Sequence, residues 1–122
     1  MKSEVRLCVH VAPYVACRKF YEDVLGFRVY KEWDRSSNDR GVVYDIDGTF
    51  LELLLSDTAH QTTFDGTFYL YIKVPDVRAH FEALKSKGLA LAPPTAYPWG
   101  HTSFSVTDPA GMKLTFFTET EV

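Results

Sequence analysis

Arg6-Leu7-Cys8-Val9-His10-Val11-Ala12 and Tyr69-Leu70-Tyr71-Ile72-Lys73-Val74-Pro75 decide the fold. Laid one over the other, they alternate in step at an offset of 63 residues. The same offset of 63 carries the turn glycine Gly48 onto Gly111, and Glu52 onto Thr115. One offset that aligns both ends of a segment marks an internal duplication, each copy being a supersecondary unit with an apolar face to bury.

Working outward from the first heptad, Val5–Val11 alternates as a half-buried strand. Pro13 opens a segment in which Ala16, Phe20 and Val24, with Cys17 and Tyr21, recur at helical spacing, and Gly26 closes it. Strand-like runs follow at Phe27–Trp33, Val42–Ile46 and Thr49–Leu55, separated by a polar loop at Asp34–Gly41 and a tight turn at Asp47-Gly48. The second copy repeats this β-α-β-β-β order. Phe68–Val74 is a strand, and Asp76 caps a helix with Val77, Phe81 and Leu84 on one face. A short strand starts at Leu89–Leu91, and Thr102–Val106 and Met112–Thr118 complete the module around the turn Asp108-Pro109-Ala110-Gly111. The expected fold class is α+β, with two tandem βαβββ modules, residues 4–55 and 67–119, joined by a connector at 56–66 and curving around a cavity in a single domain.

The 122 residues suit one domain of ordinary size. Apolar residues at 46% and charged residues at 24% exclude a disordered or fibrous chain. A net charge of −3 and a pI near 5.7 leave no excess of positive charge to meet phosphates, so nucleic acid and anionic membrane are excluded as main partners. The two cysteines, Cys8 and Cys17, have no metal-binding spacing, and no apolar run approaches the ~20 residues of a membrane span. A reduced, cytoplasmic protein is expected, with no membrane partner.

In each module the helix must cover one sheet face. Val5, Leu7, Val9 and Val11 in the first copy, and Leu70, Ile72 and Val74 in the second, form the apolar faces. The opposite wall of the first module then holds Arg6, Cys8 and His10, with Phe50, Glu52 and Leu54. That of the second holds Tyr69, Tyr71 and Lys73, with Thr115 and Phe117, and with His101, Ser103 and Ser105. Walls mixing charge, hydroxyl and ring suit a ligand pocket better than a core. Arg6 and Glu52 either orient an anionic or carbonyl-bearing ligand or form a structural ion pair. Cys8, His10 or His101 would need a partner to act as nucleophile or base. Trp99, presented between Pro98 and Gly100, is placed at the pocket rim, and His60 and His80 are expected to be solvated.

The paired modules, Phe20-Tyr21-x-x-Val24-Leu25-Gly26-Phe27 after the first strand and Asp108-Pro109-x-Gly111 before the last resemble the vicinal oxygen chelate superfamily. That group contains glyoxalase I, extradiol dioxygenases and bleomycin-resistance proteins. Pro98-Trp99-Gly100 followed by Phe104-x-Val106-x-Asp108-Pro109 is similar to the bleomycin-resistance-like branch. The resemblance implies a divalent metal held at the positions of Arg6, Glu52, Tyr69 and Thr115. Of these, only Glu52 is a usable ligand, so no metal cofactor is expected. The expected function is metal-free sequestration of an antibiotic, toxic or signalling small molecule in an aromatic-lined pocket of a homodimer. The alternative is a glyoxalase-like lyase or isomerase, or a dioxygenase-related enzyme, with a displaced metal or His/Glu acid–base chemistry.

Overall fold

Val9 and Val11 lose nearly all contact with solvent while Arg6 and Cys8, before them on the alternate positions, stay exposed, so the period-two pattern sets the two faces of the first strand. In the computed structural model, which describes residues 3–55, 64, 66 and 68–120, that strand is β1 (Val5–Val11). It leads into α1 (Tyr14–Lys19), a π-helical turn (Phe20–Val24), then β2 (Arg28–Ser36), β3 (Asp39–Ile46) and β4 (Thr49–Leu55). The second copy runs β5 (Leu70–Lys73), α2 (Val77–Lys85), β6 (Thr95–Ala96), β7 (His101–Thr107) and β8 (Lys113–Glu119). The chain divides into two compact units, residues 1–63 and 64–122. Each is a four-stranded mixed sheet, ordered β1-β4-β3-β2 in one and β5-β8-β7-β6 in the other, so the fold is α+β with the tandem arrangement read from the repeat.

The duplication holds at the level of register. β1 runs parallel to β4 with Cys8 opposite Glu52, and β5 runs parallel to β8 with Tyr71 opposite Thr115, each residue displaced by 63 from its counterpart. α1 and α2 start at Tyr14 and Val77, again 63 apart. The glycines that end the two helical segments, Gly26 and Gly88, both have positive φ but stand only 62 apart. The first copy therefore has one residue more between helix start and closing glycine, and it spends that residue in the π-helical turn. On this turn Glu22 accepts from the hydroxyl of buried Tyr44 at 2.8 Å and from Arg18 Nε at 2.7 Å. Burial pushes the Glu22 carboxyl up, but Arg18 and Tyr44 outweigh it and hold it below the usual carboxylate range.

The first core gathers Val9, Val11, Tyr14, Cys17 and Tyr21 with Leu51 and Leu53. The second gathers Val77, Phe81 and Leu84 with Phe104, Leu114 and Phe116, Phe81 meeting Phe104 edge-on at 5.5 Å. Asp76 caps α2 as expected, its Oδ1 accepting from the Arg78 and Ala79 amides. Among the described residues no helix is long and apolar enough to cross a membrane.

Several expectations need correction. Val5, at the start of the edge strand β1, is 68% exposed and not part of the covered apolar face. The polar stretch 34–41 is mostly sheet: Trp33 pairs with Gly41 and Asp34 with Arg40, so charged and aromatic cross-strand pairs extend the ladder almost to the turn. The short strand lies at Thr95–Ala96, after the two prolines, not at Leu89–Leu91. Of the connector 56–66, only Phe64 and Gly66 fall within the described residues. His80 is half-buried against Phe116, with ring centroids 4.5 Å apart, and its Nε2 has no hydrogen-bond partner among the described residues.

Gly41 is required by close approach. A Cβ there would stand 2.1 Å from Trp33 Cζ2, and that indole is tethered by its Nε1 donating to Asp39 at 3.0 Å. Gly41→Ala is expected to lower stability by about 1–3 kcal/mol in urea unfolding, as overpacking does. The Trp33→Ala/Gly41→Ala pair should fall short of additivity, because removing the ring removes the clash.

Desolvation, aided by Lys87, lowers the His80 pKa below its ordinary 6.5. The folded protein thus binds this proton less readily than the unfolded chain, and stability is lost as pH falls through and below about 6.5. His80→Leu should flatten that part of the profile of melting temperature against pH. A profile unchanged by the substitution contradicts the assignment.

Candidate functional site

The bare face of the second sheet carries a concavity of about 480 Å³. Its floor is hydroxylic: Ser103 and Ser105 come from β7 and Thr115 from β8, and Ser105 and Thr115 share a hydrogen bond of 2.8 Å. Aromatic rings form its sides. Tyr69 and Tyr71 stand at one edge, and Tyr97 and Trp99 stack at the other with centroids 4.7 Å apart and planes 14° from parallel. These four rings remain exposed, by 47%, 40%, 40% and 61% in that order. Lys113 completes the lining, with its ammonium 4.9 Å from the Tyr69 ring centroid.

Behind the lining, Phe117 stacks on Tyr71 at 4.2 Å and on His101 at 4.6 Å. His101 also lines the concavity, and both its ring nitrogens are engaged. Nδ1 lies 2.8 Å from the Tyr71 hydroxyl and Nε2 lies 3.2 Å from Glu119 Oε1. Glu119 in turn accepts from Lys73 Nζ at 3.1 Å. Lys73 first, and His101 second, hold the Glu119 carboxyl below its usual range.

On the bare face of the first sheet, Arg6 Nη1 donates to Glu52 Oε1 at 2.9 Å and its Nε donates to Glu4. The Arg6 guanidinium lies over Phe50, whose ring also meets Tyr30 at 5.0 Å. Cys8 sits opposite Glu52 in the ladder; partial desolvation and that carboxylate push its thiol pKa up, so it is poorly disposed to act as a nucleophile. His10 faces Leu54 further along β1.

Seven of the expected wall and rim residues therefore meet around one concavity: Tyr69, Tyr71, Trp99, His101, Ser103, Ser105 and Thr115. Phe117 and Lys73 support it from behind, while Arg6, Cys8, His10, Phe50 and Glu52 belong to the first module's wall. Reading the sequence missed Tyr97, Lys113 and Glu119. Lys113 and Glu119 were within reach, since period-two alternation from Thr115 and Phe117 puts both on the same face of β8. Tyr97 lies in a turn, where no periodicity operates.

The sequence pattern of the Glyoxalase/Bleomycin resistance protein/Dioxygenase superfamily matches residues 7–116. The chain belongs to that superfamily. No curated protein matches this superfamily member in sequence. Among solved structures, it resembles TnmS3, an antibiotic binding protein from Streptomyces sp. CB03234, at 21% identity and a TM-score of 0.76 over 98% of each chain. TioX from Micromonospora sp. ML1 is 19% identical, with a TM-score of 0.74 over 97% of this chain and 99% of that one. Lactoylglutathione lyase from Agrobacterium tumefaciens is 16% identical, with a TM-score of 0.74 over 97% and 94%. At such identities the likeness is one of fold.

Superfamily membership raises the question of the divalent metal, and the donor chemistry answers it. Arg6 offers a guanidinium already committed to carboxylates. Tyr69 offers an exposed phenol, and Thr115 a hydroxyl bonded to Ser105. Among the described residues no group of three or more His, Cys, Asp or Glu side chains is placed to hold a metal ion. The residues at these positions do not fit the group.

Proposed function

We propose that this superfamily member binds a flat, ring-bearing small molecule in the concavity of its second module and sequesters it without a metal. The observation that carries the reading is the set of exposed rings around a hydroxyl floor. Tyr69, Tyr71, Tyr97 and Trp99 leave a large aromatic area open to water, which a protein keeps at a cost unless something covers it. The volume of about 480 Å³ lies within the roughly 300–1,000 Å³ of small-molecule sites. That TnmS3 is an antibiotic binding protein agrees with this reading, as does the lack, among the described residues, of a donor set for metal-centred chemistry at the superfamily's usual positions. The ligand is taken to be an antibiotic, toxic or signalling compound met in the cytoplasm, where cysteines such as Cys8 stay reduced.

Quenching of Trp99 fluorescence during a titration with flat aromatic compounds tests the site. Trp99→Ala and Tyr71→Ala, the former followed by calorimetry, should each weaken the tightest ligand by about 1–3 kcal/mol, the scale of one lost stacked ring. Two variants that bind as the wild type does would place the site elsewhere.

The working form is proposed to be a two-fold homodimer with two equivalent pockets. Light scattering at micromolar concentration should give twice the 13.9 kDa chain mass, and a monomer mass refutes this part of the reading.

A further inference from the structure

We propose that Tyr71, His101 and Glu119 form a proton relay that lets the pocket take an acidic hydroxyl ligand as its conjugate base. This rests on the pocket reading above and specifies the ligand class: flat arenes or enols bearing an acidic O–H. The geometry is that of a charge-oriented imidazole. Glu119 Oε1 lies 3.2 Å from His101 Nε2, and a carboxylate held below its usual pKa range only accepts, so Nε2 carries the hydrogen. Nδ1 is then the lone-pair nitrogen, and the Tyr71 hydroxyl 2.8 Å away donates to it. The Tyr71 oxygen keeps its own lone pairs for a donor arriving in the pocket.

The step is a pure proton transfer. The ligand O–H gives its proton to the Tyr71 oxygen as Tyr71 passes its own to His101 Nδ1, leaving ligand anion and imidazolium. No electrons change hands, and one proton moves from ligand to His101. The new positive charge sits beside Glu119, and the new negative charge lies in a lining that holds Lys113 and no carboxylate. Phe117, stacked on both Tyr71 and His101, buttresses the two rings, whose planes stand 34° apart. Glu119 acts as a positioning residue. It is steadied by Lys73 on β5, so each charged group facing the relay has a place in it: Glu119 and Lys73 behind, Lys113 and the phenols of Tyr69 and Tyr97 in front.

The test uses 4-nitrophenol, whose neutral and anionic forms differ in colour, and its methyl ether 4-nitroanisole, which has no proton to give. The apparent ionisation pH of nitrophenol is read with the protein in saturating excess, so that all of the probe is bound and differences in affinity do not enter. On the wild-type protein it should fall by about one unit below that of the free compound, a tenfold preference for the anion. His101→Gln and Tyr71→Phe should abolish the shift. Glu119→Gln, at a side chain 53% exposed and thus safe for folding, should reduce it. A shift that survives His101→Gln and disappears in Lys113→Gln overturns the relay in favour of simple charge attraction. Both compounds binding with no shift overturns the relay alone. Neither compound binding overturns the pocket reading, and the relay with it.

Discussion

Parallel neighbours cannot be joined by a tight turn, and this constraint organises each module. β1 and β4 lie side by side in parallel, as do β5 and β8. The chain must therefore leave the first strand, cross through a helix, lay down two antiparallel strands and return. That single helix covers one face of a four-stranded sheet. The other face is left to side chains that the core does not need, and the polar and aromatic residues of both walls stand there. Position in the fold, more than any motif, makes these faces available for chemistry.

One scaffold has been put to two uses. Cys8 and Glu52 occupy the ladder position that Tyr71 and Thr115 occupy in the second copy. In the first wall a carboxylate and a guanidinium satisfy each other over a phenyl ring, leaving little capacity for a guest. In the second, a threonine hydroxyl stands at the position equivalent to the carboxylate and the strand offers phenols. The charge is gone from the floor and ring area has been gained at the sides. Divergence between the copies has thus moved one wall toward internal closure and the other toward openness.

The fold was legible because duplication doubles every weak signal. A strand of alternating Val and Cys is ordinary, but the same alternation at a fixed offset, with matching glycines, is not. What escaped reading has physical reasons. The β2–β3 hairpin looked like a loop because Asp34 and Arg40 are polar, yet opposite charges across a ladder stabilise it as rings do. His80 was read as solvated although Val77, His80, Phe81 and Leu84 follow the i, i+3, i+4, i+7 spacing of a buried face. On that face the helix half-buries the histidine in spite of its polarity. The relay through Glu119 was beyond the sequence, since it depends on χ angles and strand twist bringing three side chains into line.

The one-residue excess in the first helical segment has a historical meaning. It is present in one copy only, so it was gained or lost after the doubling, and it gives that lineage an order of events. In an unbroken α-helix an added residue would rotate everything downstream by about 100°, turning buried side chains toward water. Confined to a π-helical turn, the change was absorbed within a few residues and Gly26 still closed the segment. A crossover on one side of the turn transfers the extra residue with the partners that accommodate it only if Arg18, Glu22 and Tyr44 travel together. Each half thus keeps its own helical segment together with the partners that fit it, and its own wall.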